Sequence, residues 1–156
     1  MRTHNYAPYH MLVALKEVGV TEVVGPTHNP RIVEYSKTTG FVFSDDETPW
    51  CSVFANWVAF MSGLERSYSA AARSWLKVGE EVKDPLLGDV VIFERGGITA
   101  WTGHVAFFVS YSGSKDYVYV LGGNQNNRVD ISMYKASRIL GFRRLTSPSL
   151  NAPISA

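Results

Sequence analysis

At Pro85 the chain changes its repeat. Before that point apolar residues recur at helical spacing, and after it they come in short β-branched and aromatic runs. Tyr9 to Val18 reads as a helix that stops at Gly19. Asn29 is a natural N-cap with Pro30 at the first helical position, and Ile32, Val33 and Tyr35 carry that helix to about Lys37 before Gly40 closes it. A third helix runs through Val53-Phe54-Ala55-Asn56-Trp57-Val58-Ala59-Phe60-Met61 to Gly63, with a further helical segment over Ala70 to Leu76. Downstream, Val90 to Phe93, Val105 to Tyr111, Tyr117 to Leu121, Val129 to Tyr134 and Ile139 to Leu145 are separated by Gly, Ser, Asn and Asp, which predicts an antiparallel meander. Helices first and strands second define an α+β domain, with N-terminal helices packed on a C-terminal antiparallel sheet.

The length of 156 residues, 46% of them hydrophobic, suits one core and one domain, expected over residues 1–146. Residues 147–156 carry Pro148 and Pro153 without a periodic pattern and read as a flexible tail. A net charge of +1, with both signs mixed along the chain, lacks the cationic stripe that nucleic acid or anionic lipid requires. No apolar run approaches the ~18 residues of a membrane span, and the polar start Met1-Arg2-Thr3-His4-Asn5-Tyr6 lacks a signal-peptide pattern. The expectation is a monomer made in the cytoplasm, without membrane insertion.

The single cysteine, Cys51, permits no internal disulfide. Thr48 as N-cap and Pro49 at the first position would put Cys51 in the first turn of the third helix, where the helix dipole and unpaired N–H groups favour a thiolate. A cysteine nucleophile needs a base and a group that orients the base. His104 opens an otherwise apolar strand. If that strand and the next form a hairpin, the segment Gly122-Gly123-Asn124-Gln125-Asn126 returns to it and brings Asn124 beside the imidazole, with Gln125 and Asn126 as alternatives. Trp50, Tyr35, Trp101 and Gln125 are candidate substrate contacts. His4, His10 and His28 read as structural. Asp45-Asp46-Glu47 reads as a solvated acidic turn rather than a calcium loop, because it lacks alternating oxygen ligands and a glycine.

Thr48-Pro49-Trp50-Cys51-Ser52, Pro85-Leu86-Leu87-Gly88-Asp89-Val90-Val91-Ile92-Phe93, Gly103-His104-Val105-Ala106-Phe107 and Gly122-Gly123-Asn124-Gln125 occur in that order. Together they resemble the cysteine, histidine-dependent amidohydrolase/peptidase (CHAP) domains, and more closely a small phage and bacterial branch of CHAP- and NlpC-like cell-wall hydrolases. The resemblance spans roughly residues 7–145. It implies a papain-like fold and cleavage of peptidoglycan amide bonds, by an N-acetylmuramoyl-L-alanine amidase or an endopeptidase of the stem or cross-bridge. Cys51 takes the nucleophile position, His104 the base position and Asn124 the third position, with a thioester intermediate and neither metal nor organic cofactor. Two positions depart from the common pattern: Trp50 stands where many such domains have Gln, and Gly122 where many have Glu. The partner implied is the stem peptide, with delivery to the wall as a phage lysis enzyme, a tail enzyme or a secreted effector, the last with an immunity protein or carrier. The alternatives are a non-catalytic wall-binding or phage structural module on the same fold, and a cysteine-hydrolase toxin acting on host protein.

Overall fold

The computed structural model describes residues 7–25, 27–41 and 49–148. The expected N-cap Thr48, the Asp45-Asp46-Glu47 turn, the N-terminal Met1 to Tyr6 and the tail from residue 149 onward lie outside these residues. Among the described residues three helices come first: α1 (Tyr9–Leu15), α2 (Pro30–Thr39) and α3 (Cys51–Met61), followed by a 3-10 segment at Ala72–Lys77. Six strands follow among the described residues: β1 (Glu80–Val82), β2 (Val90–Glu94), β3 (Gly103–Tyr111), β4 (Tyr117–Gln125), β5 (Arg128–Lys135) and β6 (Ile139–Arg144). The α+β reading holds.

All strand pairs are antiparallel, in the order β1-β6-β2-β3-β4-β5. The expected meander is thus real for β2 to β5. β6 does not continue it; the chain crosses back and pairs with the free side of β2, and the short β1 pairs with β6 in turn.

α3 is the central element. Every residue from Cys51 to Ala59 is buried, as expected for a helix that is apolar on all sides. One face of the sheet, through Val90, Ile92, Val105, Phe107, Leu121 and Val129, packs on the helices and on Trp75. Two polar side chains inside α3 are fully satisfied. Ser52 Oγ donates to Ser69 O (2.6 Å) and accepts from Trp75 Nε1 (3.0 Å). Asn56 accepts the Tyr68 N–H (3.0 Å) and donates to Ser52 O (2.8 Å) and Ser69 O (3.2 Å). These bonds fasten the 67–69 loop to the helix and fix the segment that follows it, Ala70-Ala71-Ala72.

The opposite face holds a second cluster: Val91, Phe93, Ala106, Phe108, Val118, Val120 and Phe142. The rings of Phe93 on β2 and Tyr134 on β5 are 4.9 Å apart, although β3 and β4 lie between their strands. In a flat sheet three strand spacings amount to ~14 Å. The sheet therefore curls over this face and buries it without help from a helix.

Candidate active site

α3 begins at Cys51 itself. Trp50 occupies the N-cap position with non-helical backbone (φ −122°, ψ 15°), so the helix starts two residues later than the expected Pro49. No described side chain caps it, which leaves the first-turn N–H groups of α3 turned toward the end where the thiol sits.

Cys51 is buried, 7% exposed as a residue. Its thiol lies against the backbone N–H of Val105, the residue after His104, so it meets β3 at the level of the histidine. Cys51 and Gly103 line the same cavity of about 180 Å³, with Pro49, Ala70, Ala71, Ala72, Arg95, Trp101 and Thr102. Burial pushes the thiol above its ordinary value, and the N–H groups of Val105, Ser52 and Cys51 and the charge of Arg95 only partly oppose this. This corrects the expected thiolate: the resting group is a thiol, because desolvation outweighs the helix terminus.

His104 is buried on the curled face, where its ring forms a triangle with those of Phe93 (centroids 6.0 Å) and Tyr134 (5.2 Å). Burial pulls its pKa down to about 4; the Gln125 hydrogen bond opposes this, and Arg95 and Arg138 add to it. The imidazole is therefore neutral at pH 7.

The residue that holds this imidazole is Gln125. His104 Nε2 lies 2.9 Å from Gln125 Oε1. Gln125 Nε2 donates to Asp130 O (2.8 Å), Asp130 Oδ1 (3.1 Å) and Val120 O (3.3 Å). With the amide nitrogen committed to three oxygens, Oε1 must face the ring, and His104 Nε2 must be the donor. The proton is thus on Nε2, and Nδ1 carries the lone pair. Nδ1 is the one buried side-chain nitrogen or oxygen among the described residues without a hydrogen-bond partner.

The expectation that Asn124 lies against His104 is corrected here. Counting alternate residues along β4 from Val118 and Val120 puts position 124 on the His104 face. The ladder to β5 shifts register between Gly122 and Gln125, so β4 carries one extra residue. Asn124 takes a left-handed conformation (φ 56°) at that bulge, and the parity reverses. Gln125 replaces it on the histidine side. Both glycines before the bulge are required by close approach: a Cβ at Gly122 would come within 2.9 Å of Gln125 Oε1, and one at Gly123 within 2.6 Å of the Trp50 ring.

Three expected substrate contacts are core residues instead. Trp50 is 2% exposed, donates from Nε1 to Glu22 and packs on Phe54 and Tyr35. Tyr35 is fully buried, and its hydroxyl donates to Glu17 Oε2 (2.9 Å), which also binds Arg31. Gln125 is committed to His104 and Asp130. Trp101 alone of the four is open to solvent, 82% exposed on the cavity rim. Sequence reasoning missed Asp130 and Arg95, neither of which lies in a motif. His10 is structural as expected: Nε2 donates to Gly88 O (2.7 Å) and the ring packs on Phe107. Among the described residues no group of three His, Cys, Asp or Glu side chains gathers, and no helix is long and apolar enough to cross a membrane.

A buried helix that opens on a cysteine, set against an antiparallel sheet with a histidine at its strand start, is the papain-like α+β arrangement. The chain belongs to the CHAP domain family, whose family model matches residues 43–124, more than half of its length. That span includes Cys51 and His104 and ends one residue before Gln125. CHAP domains are usually hydrolases of peptidoglycan, acting as amidases or peptidases. No curated protein and no solved structure matches the chain.

The neutral histidine has a measurable cost at low pH. Its folded-state pKa of about 4 lies below the unfolded 6.5, so the unfolded chain takes up a proton first as pH falls. Its contribution to stability is complete above pH 6.5 and is lost as pH drops toward 4, a loss of about 3 kcal/mol. Denaturant titrations between pH 7 and pH 4 should show this slope, and His104→Gln should reduce it.

Proposed function

We propose that this chain is a cysteine hydrolase that cleaves an amide bond of bacterial peptidoglycan, with Cys51 as nucleophile, His104 as base and Gln125 as the group that orients the base. The observation that carries the reading is the orphaned Nδ1 lone pair of a neutral His104 at the level of a buried thiol. The fixed Gln125 amide leaves His104 only one nitrogen with which to accept a proton. The Cys51 proton passes to Nδ1 as sulfur attacks the carbonyl carbon. The tetrahedral oxyanion forms beside the uncapped N–H groups of α3, with the Cys51 N–H the first donor. The imidazolium then protonates the leaving amine, and neutral His104 activates the water that hydrolyses the thioester. Starting from a neutral pair rather than an ion pair, activity should persist down to about pH 5 and fall as His104 protonates near 4.

Gln125 has a separable effect. Gln125→Ala removes the acceptor of the Nε2 proton, and a lost hydrogen bond of about 1.5–3 kcal/mol in the transition state corresponds to a roughly 10- to 150-fold lower kcat. Gln125→Glu should instead move the acid limb upward, since a carboxylate stabilises the imidazolium. Steady-state pH profiles separate the two.

The proposed reaction is tested by incubating the protein with muropeptides of several wall chemistries and weighing the products. New fragments whose masses identify one hydrolysed amide support it and name an amidase or an endopeptidase. Intact muropeptides throughout would favour the wall-binding module, and cleavage of a folded protein alone would favour the toxin. A route to the wall by phage lysis, phage tail or secretion suits the same chemistry.

A further inference from the structure

Among the described residues Arg95 is the only charged one that lines the Cys51 cavity. Its guanidinium has no hydrogen bond and no ion pair among the described residues, unlike the other arginines around the cleft. Arg73 spends its guanidinium on Thr102 O (2.7 Å), Ile98 O (2.6 Å) and Gly97 O (2.7 Å). Arg138 is paired with Glu94 Oε1 at 3.3 Å.

The loop that presents Arg95 is built rather than loose. Arg73 clamps three of its carbonyls, Thr102 Oγ1 donates to Arg95 O (2.7 Å), and the Gly97 N–H donates to Glu94 Oε2 (2.6 Å). Arg95 is thereby held at one wall. Ala70, Ala71 and Ala72 line the same cavity and are small and uncharged, and among the described residues no Asp or Glu lines it. A guanidinium with its donors unspent, facing a cavity that ends at a nucleophile, is matched in geometry and charge by a carboxylate.

We infer that Arg95 is a carboxylate-binding subsite, and that the preferred acyl donor carries a free carboxylate close to the scissile amide. The inference rests on the hydrolase reading above and specifies its substrate class: acidic wall peptides with small side chains are favoured over their carboxamide forms. Arg95 acts here as a specificity residue and takes no part in proton transfer.

The test compares muropeptides with their carboxylates free and the same muropeptides converted to carboxamides, each cleaved by wild type, R95Q and R95K. Wild type should prefer the free acid by roughly 10- to 100-fold in kcat/KM, mainly through KM, the range of one charge-assisted contact. In R95Q the preference should collapse to near unity, and R95K should keep part of it through its point charge. Arg95 is exposed and makes no side-chain bond, and equal thermal midpoints of the three proteins verify that folding is unchanged. Equal cleavage of both forms by wild type, or an undiminished preference in R95Q, overturns the inference and leaves the hydrolase reading standing. Absence of cleavage of either form by wild type overturns the hydrolase reading and the subsite with it.

Discussion

Cys51→Ala is expected to lower kcat/KM for muropeptide cleavage by at least ~10⁴-fold, because the proposed acyl intermediate forms on the Cys51 sulfur. Cys51 is the sole cysteine, and among the described residues the cavity it shares with Arg95, Trp101 and Gly103 is lined by no serine and no carboxylate, while the Thr102 hydroxyl is donated to Arg95 O (2.7 Å). The loss should fall on turnover. The thiol is buried at the first turn of α3, and Cys51→Ala removes only its sulfur atom, so the substitution should cost about 1 kcal/mol of stability. Product mass spectrometry and a thermal melt of the same preparation read both quantities. A variant that folds like wild type, binds wall fragments and fails to cleave them would isolate the chemical step; undiminished cleavage would assign the reaction to some other residue.

The second large effect is on stability. Trp50→Ala should lower the unfolding free energy by about 3–5 kcal/mol, and Tm by roughly 10 °C. The indole fills the space between Phe54, Tyr35 and the backbone at Gly123, and its N–H is bonded to Glu22. Truncation leaves a cavity against the bulge that carries Gln125, and it frees Glu22 of its partner. Denaturant titration measures the loss directly. A substrate-stacking tryptophan would behave in the opposite way, with KM raised and the melt unchanged. Trp101, open to solvent on the cavity rim, is the residue at which that pattern is expected.

These two residues show what was legible in the chain and what was not. Asn29-Pro30 announced α2 because a capping side chain and a fixed proline φ are local physics, and Asn29 Oδ1 does accept the Arg31 N–H at 2.9 Å. The β2 to β5 runs were legible for the same reason. Glu80-Glu81-Val82 is too short and polar to announce a strand; it pairs only because β6 offers an edge. Whether an aromatic ring lines a cleft or fills a core is a tertiary matter, so Trp50, Tyr35 and Trp101 were equivalent in sequence and are not in the fold.

The residue expected beside His104 failed by one position for a definable reason. Strand alternation counts correctly from Val118 to Gly122, and the inserted residue at Asn124 then reverses the faces. The hairpin geometry that brought the Gly-Gly-Asn-Gln segment to His104 was right, and the side chain it delivered was the next one along. The ionisation of Cys51 reversed similarly. A helix start is a local feature that favours the thiolate, whereas burial depends on what packs around it, and burial is the larger effect here.

The central claim is that Cys51 becomes acylated. Rapid acid quench of wild type mixed with muropeptide, followed by peptide mapping, measures this directly. The expected result is an added acyl mass on the peptide containing Cys51, removed by hydroxylamine and absent from Cys51→Ala. Cleavage that proceeds with Cys51 unmodified at every quench time, and that survives in Cys51→Ala, would contradict it.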